Sequence, residues 1–229
     1  MRAWRLTPTP PYGATEATGM NKATGMTEMP PEPDSPDPDP LSFEQWQTDG
    51  GSHLEMVIDR QNWPDDVIDA ARPALTRATD IACDVFGWPQ LEIGALLCGD
   101  DRIRALNSTF CGKDAPTNVL SFPSGDDAGM PAVPSADPQT LLAPGDIAIA
   151  YDTLQREAAQ AAKSVNDHLT HLWVHGLLHL MGHDHQDDDE ADRMEAGEIR
   201  VLARLGIANP YTQPPEATSG PDATSGAIG

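Results

Sequence analysis

The residues from His175 to His185 read His-Gly-Leu-Leu-His-Leu-Met-Gly-His-Asp-His, and three of their imidazoles are spaced to meet one metal ion. A helix carries His175 and His179 on one face, roughly 5–6 Å apart at Cβ and within reach of a single ion. Gly182 stands where a helix favours a left-handed residue just past its end, and a reversal there can return His185 to the same ion. Leu177, Leu178 and Leu180 between them read as core. Three nitrogen ligands with no fourth from the protein form the arrangement of a catalytic zinc site, in which water fills the open position and its pKa falls to about 7. The expectation is one Zn²⁺ per chain on His175, His179 and His185.

This spacing repeats the ligand pattern of the long zinc-protease motif. Those proteases place Glu directly after the first His as general base, and here that place is Gly176, which can neither accept nor relay a proton. Peptide hydrolysis by that route is not expected, while a metal-dependent hydrolase of another substrate stays open. Other polar residues surround the three His. His171 is four before His175 and can stand behind it, although for His168 and His171 a packed or solvent-facing place is the plainer reading. Asp184, beside His183 in the reversal, can accept a ligand's ring N–H. Asn118 and Ser121 can bind phosphate or simply serve a strand. Asp187-Asp188-Asp189-Glu190 reads as a solvated helix start, where the macrodipole favours acids, rather than as a metal site.

At these residues the chain resembles the YbeY family, metal-dependent endoribonucleases of bacterial ribosomal RNA maturation. The family motif is His-Gly-x-Leu-His-Leu-x-Gly-Tyr-Asp-His, and His183 stands where the family usually has Tyr. Leu106-Asn107, Gly112-Lys113-Asp114, the run from Pro116 to Pro123 and Gly145-Asp146-Ile147 recur in family order, so the resemblance spans about residues 53–211. It implies a zinc-dependent, single-strand-specific endoribonuclease acting in 16S 3′ end maturation and ribosome quality control. The implied partners are ribosomal RNA, the small ribosomal subunit and its assembly factors, with no DNA and no membrane. It also implies a cleft beside the three His to which residues 107–122 contribute, and in that cleft catalytic parts are expected of His175 and Lys113. The family has an Arg where this chain has Cys111. A guanidinium clamps phosphate bidentately and neutralises charge developing there, a thiol does neither, and Lys113 supplies a point charge in its stead. Cys111 can also be an ordinary loop residue, or a fourth ligand that closes the site. A metal-bound ribosome-assembly or RNA-binding factor with little cleavage activity is the second reading.

The whole chain sets limits on these readings. Its 229 residues carry a formal net charge of −22, and residues 53–211 alone hold 26 acidic and 11 basic side chains. Affinity for phosphate backbones comes from Lys and Arg, so composition opposes bulk nucleic-acid binding and demands a local positive field at any RNA site. Cys83, Cys98 and Cys111 are an odd set at unrelated spacings, which argues for reduced thiols and the cytoplasm. The first residues lack an apolar signal region, and no window approaches a membrane span.

The elements that must position the His follow from periodicity. Residues 1–52, rich in Pro and Asp, cannot bury enough apolar surface to order and read as a disordered extension, with Leu41 to Trp46 at most a transient helical turn. The domain is residues 53–211, and the tail 212–229 reads as disordered. Strands are expected at Leu54–Asp59, Leu91–Leu97, Thr117–Phe122 and Asp146–Ala150. Helices are expected from Asp65 to Gly87, Asp100 to Phe110, Thr153 to Ser164, Asp167 to Met181 and Asp187 to Gly206, with a long loop over residues 124–144. The fold class is α/β (α+β): a small mixed four-stranded sheet packed with about five helices, the metal helix near the C-terminal end.

Overall fold

The structure, a computed structural model, describes residues 41–124, 141–183 and 187–212. The expectations for residues 1–40, for most of the 124–144 loop and of the C-terminal tail, and for Asp184 and His185 lie outside the described residues. In chain order the elements are β1 (Leu41–Gln47), β2 (His53–Asp59), α1 (Asp65–Phe86), β3 (Leu91–Cys98), α2 (Asp100–Cys111), β4 (Val119–Pro123), β5 (Leu142–Ala150), α3 (Tyr151–Gln160), α4 (Val165–Leu180) and α5 (Asp188–Leu205).

The strands form one mixed sheet in the order β1-β2-β3-β5-β4. β2, β3 and β5 run parallel, and the outer strands β1 and β4 are antiparallel to their neighbours. The expected class holds, with a correction: the sheet has five strands among the described residues, not four. The added strand, β1, lies within the stretch read as a disordered extension. Its register runs from Leu41 opposite Asp59 to Gln47 opposite His53. Trp46 is only 3% exposed, and that burial gives a stretch of low apolar content its reason to order. The turn is closed by Thr48, whose amide donates to the Ser52 carbonyl at 2.9 Å and whose hydroxyl accepts from the Ser52 amide at 2.9 Å.

Side chains alternate across the sheet and so divide the core. Leu91, Ile93, Ala95 and Leu97 of β3 face the layer of α1, α4 and α5, while Leu96 and Cys98 face α2 through Ile103 and Leu106. Outer β4 splits the same way: Val119 joins the first layer, and Leu120 and Phe122 the second. Between them Ser121 donates its hydroxyl to the Gly176 carbonyl of α4 at 3.4 Å, so β4 runs alongside the helix that carries the His. Gly145, at φ +141°, lets the two strands close, since a Cβ there would lie 2.2 Å from the Phe122 carbonyl oxygen.

Candidate metal centre

α4 begins at Ser164, whose hydroxyl accepts from the Asp167 amide at 3.0 Å and so satisfies one orphan donor of the first turn. Leu169, Leu172, Trp173, Val174, Leu177, Leu178 and Leu180 are buried, which leaves the stripe His171, His175 and His179 as the polar edge of an otherwise enclosed helix. Gly176 is fixed by packing. A Cβ at that position would approach the Ile147 side chain to 2.9 Å, so the helix can lie this close to β5 only without a side chain there. The position that holds the general base in zinc proteases therefore faces the sheet.

His175 and His179 are brought together as expected. Their Nε2 atoms are 3.1 Å apart and their rings nearly perpendicular, at 82°. Two nitrogens bound tetrahedrally at about 2.0–2.1 Å would be separated by about 3.3 Å, so the pair already has ligand spacing. Past them the chain reverses at Gly182, φ +83°, with the His183 amide donating to the Leu178 carbonyl at 3.0 Å. His185, the third expected ligand, lies outside the described residues, and among those described no group of three His, Cys, Asp or Glu is placed to hold a metal.

The residue that organises the pair is Glu198 of α5, which the sequence reading passed over. It is fully buried. Its Oε1 accepts from His175 Nδ1 at 2.8 Å, and its Oε2 accepts from His171 Nε2 at 2.7 Å and from the Tyr211 hydroxyl. Burial alone would raise its pKa, but the hydrogen bonds from His171, His175 and Tyr211 outweigh that and bring it down to about 2. Tyr211 moves the opposite way, pushed up by burial and by the Glu198 carboxylate. An ionised Glu198 fixes the proton of His175 on Nδ1 and leaves the Nε2 lone pair directed toward His179, the tautomer that a metal requires. His171 thus stands behind His175, joined to it through Glu198. The sequence carried a signal for Glu198: it sits on the apolar stripe of α5, between Met194 and Val201, Leu202 and Leu205, where an acid needs a partner. Glu198→Gln keeps the shape and removes the charge, and it should weaken zinc binding by roughly 10–100-fold with little change in fold. Competition against a chelator of known affinity measures it.

The other expected residues are more dispersed. Cys111 ends α2 and is exposed, and Gly112 turns the chain at φ +68°. Lys113 follows, exposed, its amide bonded to the Asn107 carbonyl at 3.2 Å. Asp114 is taken up by Arg104, Oδ1 to Nε at 2.7 Å and Oδ2 to Nη2 at 2.9 Å. α2 lies on the sheet face opposite α4, and among the described residues no hydrogen bond or ion pair joins Lys113 to His175 or His179. Asn118 donates to Glu157 at 2.9 Å, and Glu157 also meets His168 Nε2 at 2.9 Å, so both are bound into a link between β4, α3 and α4. Asp187 caps α5 by accepting from the Glu190 amide at 2.8 Å, and Asp188, Asp189 and Glu190 fill its first turn, the solvated helix start expected of them. All three cysteines are free. Burial pushes the Cys83 thiol up to about 11 and the Cys98 thiol to about 12. No helix among the described residues is long and apolar enough to cross a membrane.

Comparison with known proteins gives one consistent answer. The family described as Endoribonuclease YbeY matches residues 58–206. Among curated relatives, an Endoribonuclease YbeY of Ruegeria pomeroyi is 53% identical over 69% of this chain and 98% of its own length. Those of Allorhizobium ampelinum and Rhodopseudomonas palustris are 45% and 42% identical, over 69% and 79% of this chain and 93% and 92% of their own lengths.

Proposed function

This chain belongs to the YbeY endoribonuclease family, and we propose that it is a zinc-dependent, single-strand-specific endoribonuclease that processes ribosomal RNA in the cytoplasm, in 16S 3′ end maturation and ribosome quality control. Its partners on this reading are ribosomal RNA, the small ribosomal subunit and assembly factors. The observation that supports it most directly is the His175–His179 pair, with nitrogens at ligand spacing and one proton fixed by a buried carboxylate.

His175, His179 and His185 would hold one zinc per chain. The ion, when bound, supplies an activated water and neutralises charge on a phosphate oxygen. The protein's own part is positional. Glu198 holds His175 in one tautomer and one ring orientation, and His171 and Tyr211 keep Glu198 ionised in a buried place. Gly176 admits no competing acid or base beside His175. Lys113 is the cation we assign to the substrate phosphate.

A single-turnover assay on a ribosomal RNA fragment spanning the 16S 3′ end tests the reading. Cleavage in a single-stranded segment should appear with zinc-loaded protein, vanish on chelation and return on reloading; no cleavage at full zinc occupancy would overturn it. The exposed Cys111, at the place of the family's Arg, favours a second reading: a zinc-bound assembly or RNA-binding factor that cleaves little. Tight binding to the same fragment without cleavage would be its result.

A further inference from the structure

An acidic protein that handles RNA needs a local surface where positive charge and stacking rings meet. One such place lies past the His stretch. Phe86 and Trp88, at the end of α1, stack with centroids 4.6 Å apart and planes at 15°. His183, four residues after His179, tilts against both, at 5.5 Å from Phe86 and 6.4 Å from Trp88. The Arg200 guanidinium lies over Phe86, 5.5 Å from the ring centre, and donates to the Val85 carbonyl at 3.1 Å. Arg193 is exposed on α5, seven residues before Arg200 and so on the same helix face.

The arrangement follows from one stripe of α5. Arg193, Gly197, Arg200 and Arg204 recur at four-, three- and four-residue steps and so share a face. Gly197 lets that face close on α1, because a Cβ there would lie 2.9 Å from the Phe86 ring. Three of the 11 basic residues in 53–211 fall on this one stripe. Arg204 is neutralised by Asp84, whereas Arg193 and Arg200 have no carboxylate partner among the described residues. Phe86 thus carries both a guanidinium over its ring and the stacked indole of Trp88, and Trp88 and His183 are only half-buried.

We propose that this ledge of Trp88, Phe86 and His183, flanked by Arg193 and Arg200, is a binding subsite for single-stranded RNA: an unpaired base continues the stack on Trp88, and the two guanidiniums take the neighbouring phosphates. Every base has a π face, so such a subsite accepts strands without reading their sequence. The ligand class rests on the endoribonuclease reading, whereas the ledge itself rests on its own geometry. It places the strand beside the turn that carries His183 and leads on to His185.

The test titrates a fluorescein-labelled unstructured RNA of about twelve nucleotides into the full-length zinc-loaded protein, with anisotropy read at several salt concentrations and the same samples run on denaturing gels. Trp88→Leu should weaken binding on the order of tenfold without altering the salt slope, since it removes stacking and not charge. Arg193→Gln and Arg200→Gln should each weaken binding and lower the slope by roughly 0.7, one phosphate contact apiece. Arg193 is exposed, so its variant separates contact loss from misfolding, and zinc content is read alongside. Wild-type cleavage with all three variants binding like wild type would overturn the ledge and leave the nuclease reading standing. Ledge-dependent binding without cleavage would do the reverse, and no binding by the wild type at low salt would overturn both.

Discussion

A His179→Ala variant is expected to fold, to hold no zinc under conditions that give the wild type one equivalent, and to lose RNA cleavage by about 10³-fold, the upper scale for removing one preorganised charge-stabilising group. The fold should survive because His179 lies on the partly exposed edge of α4, while the buried residues around it, Leu178 and Leu180, are untouched. The metal should not survive, because His175 would lose the nitrogen that stands 3.1 Å from its own. Imidazole ligands suit zinc, nickel and copper alike, so elemental analysis should cover all three. Wild-type protein with far less than one equivalent of metal, and no uptake on reconstitution, would end the metal reading. The Glu198→Gln variant gives a graded comparison, since it should weaken the site without deleting a ligand.

The second large effect is a gain. Cys111→Arg should raise cleavage on the order of 10²-fold or more at unchanged zinc content, the range seen when one preorganised charge-stabilising donor is gained or lost. Cys111 is exposed at the end of α2, next to Phe110, which packs edge-on against Phe122 of β4 at 5.1 Å. A guanidinium there starts from beside the outer strand whose Ser121 touches α4. It is long and needs no repacking, so stability should hold. If Lys113 partly serves the same phosphate, Lys113→Ala should harm the wild type more than the Cys111→Arg variant. Single-turnover rates at matched zinc occupancy decide the matter. Equal rates for wild type and Cys111→Arg would show that position 111 carries no phosphate contact, and zinc loss on alkylating Cys111 would show a fourth ligand instead.

Most of the layout was legible where a single periodicity ruled. β3 is a near-continuous apolar run because it is enclosed on both faces, and α1, α2 and α5 end at glycines with left-handed φ, as their sequences suggest. β1 was misread because the acidic proline run before it dominated the local composition. The hairpin signal was present even so: Thr48-Asp49-Gly50-Gly51-Ser52 joins two runs of alternating residues. The strand is recognisable only once Trp46 has somewhere to be buried, and a local reading has no access to that. β5 likewise starts at Leu142 rather than Asp146, since Ala143, Pro144 and Gly145 look like loop residues until Leu142 pairs with Leu91 of β3 and Gly145 with Pro123 of β4. At the candidate site the paired His were plain from spacing alone. Glu198 and Tyr211 were not, because their partners are 23 and 13 residues away and on other elements.

The hairpin of β1 and β2 also decides where the protein can be shortened. The sequence boundary at residue 53 would remove β1 and leave β2, with Leu54, Met56 and Ile58 all essentially inaccessible in the intact sheet, as a bare outer strand. A row of unpaired amides and carbonyls beside such apolar residues is a template for pairing with another chain, so protein cut at residue 53 should precipitate or form sheet-rich aggregates on heating. A cut at residue 40 keeps the edge covered by β1, where Glu44 binds both Arg60 and Arg72 and holds charge along the rim. Charge on an outer strand is a standing defence against such pairing, and here the twelve residues from 41 to 52 supply it.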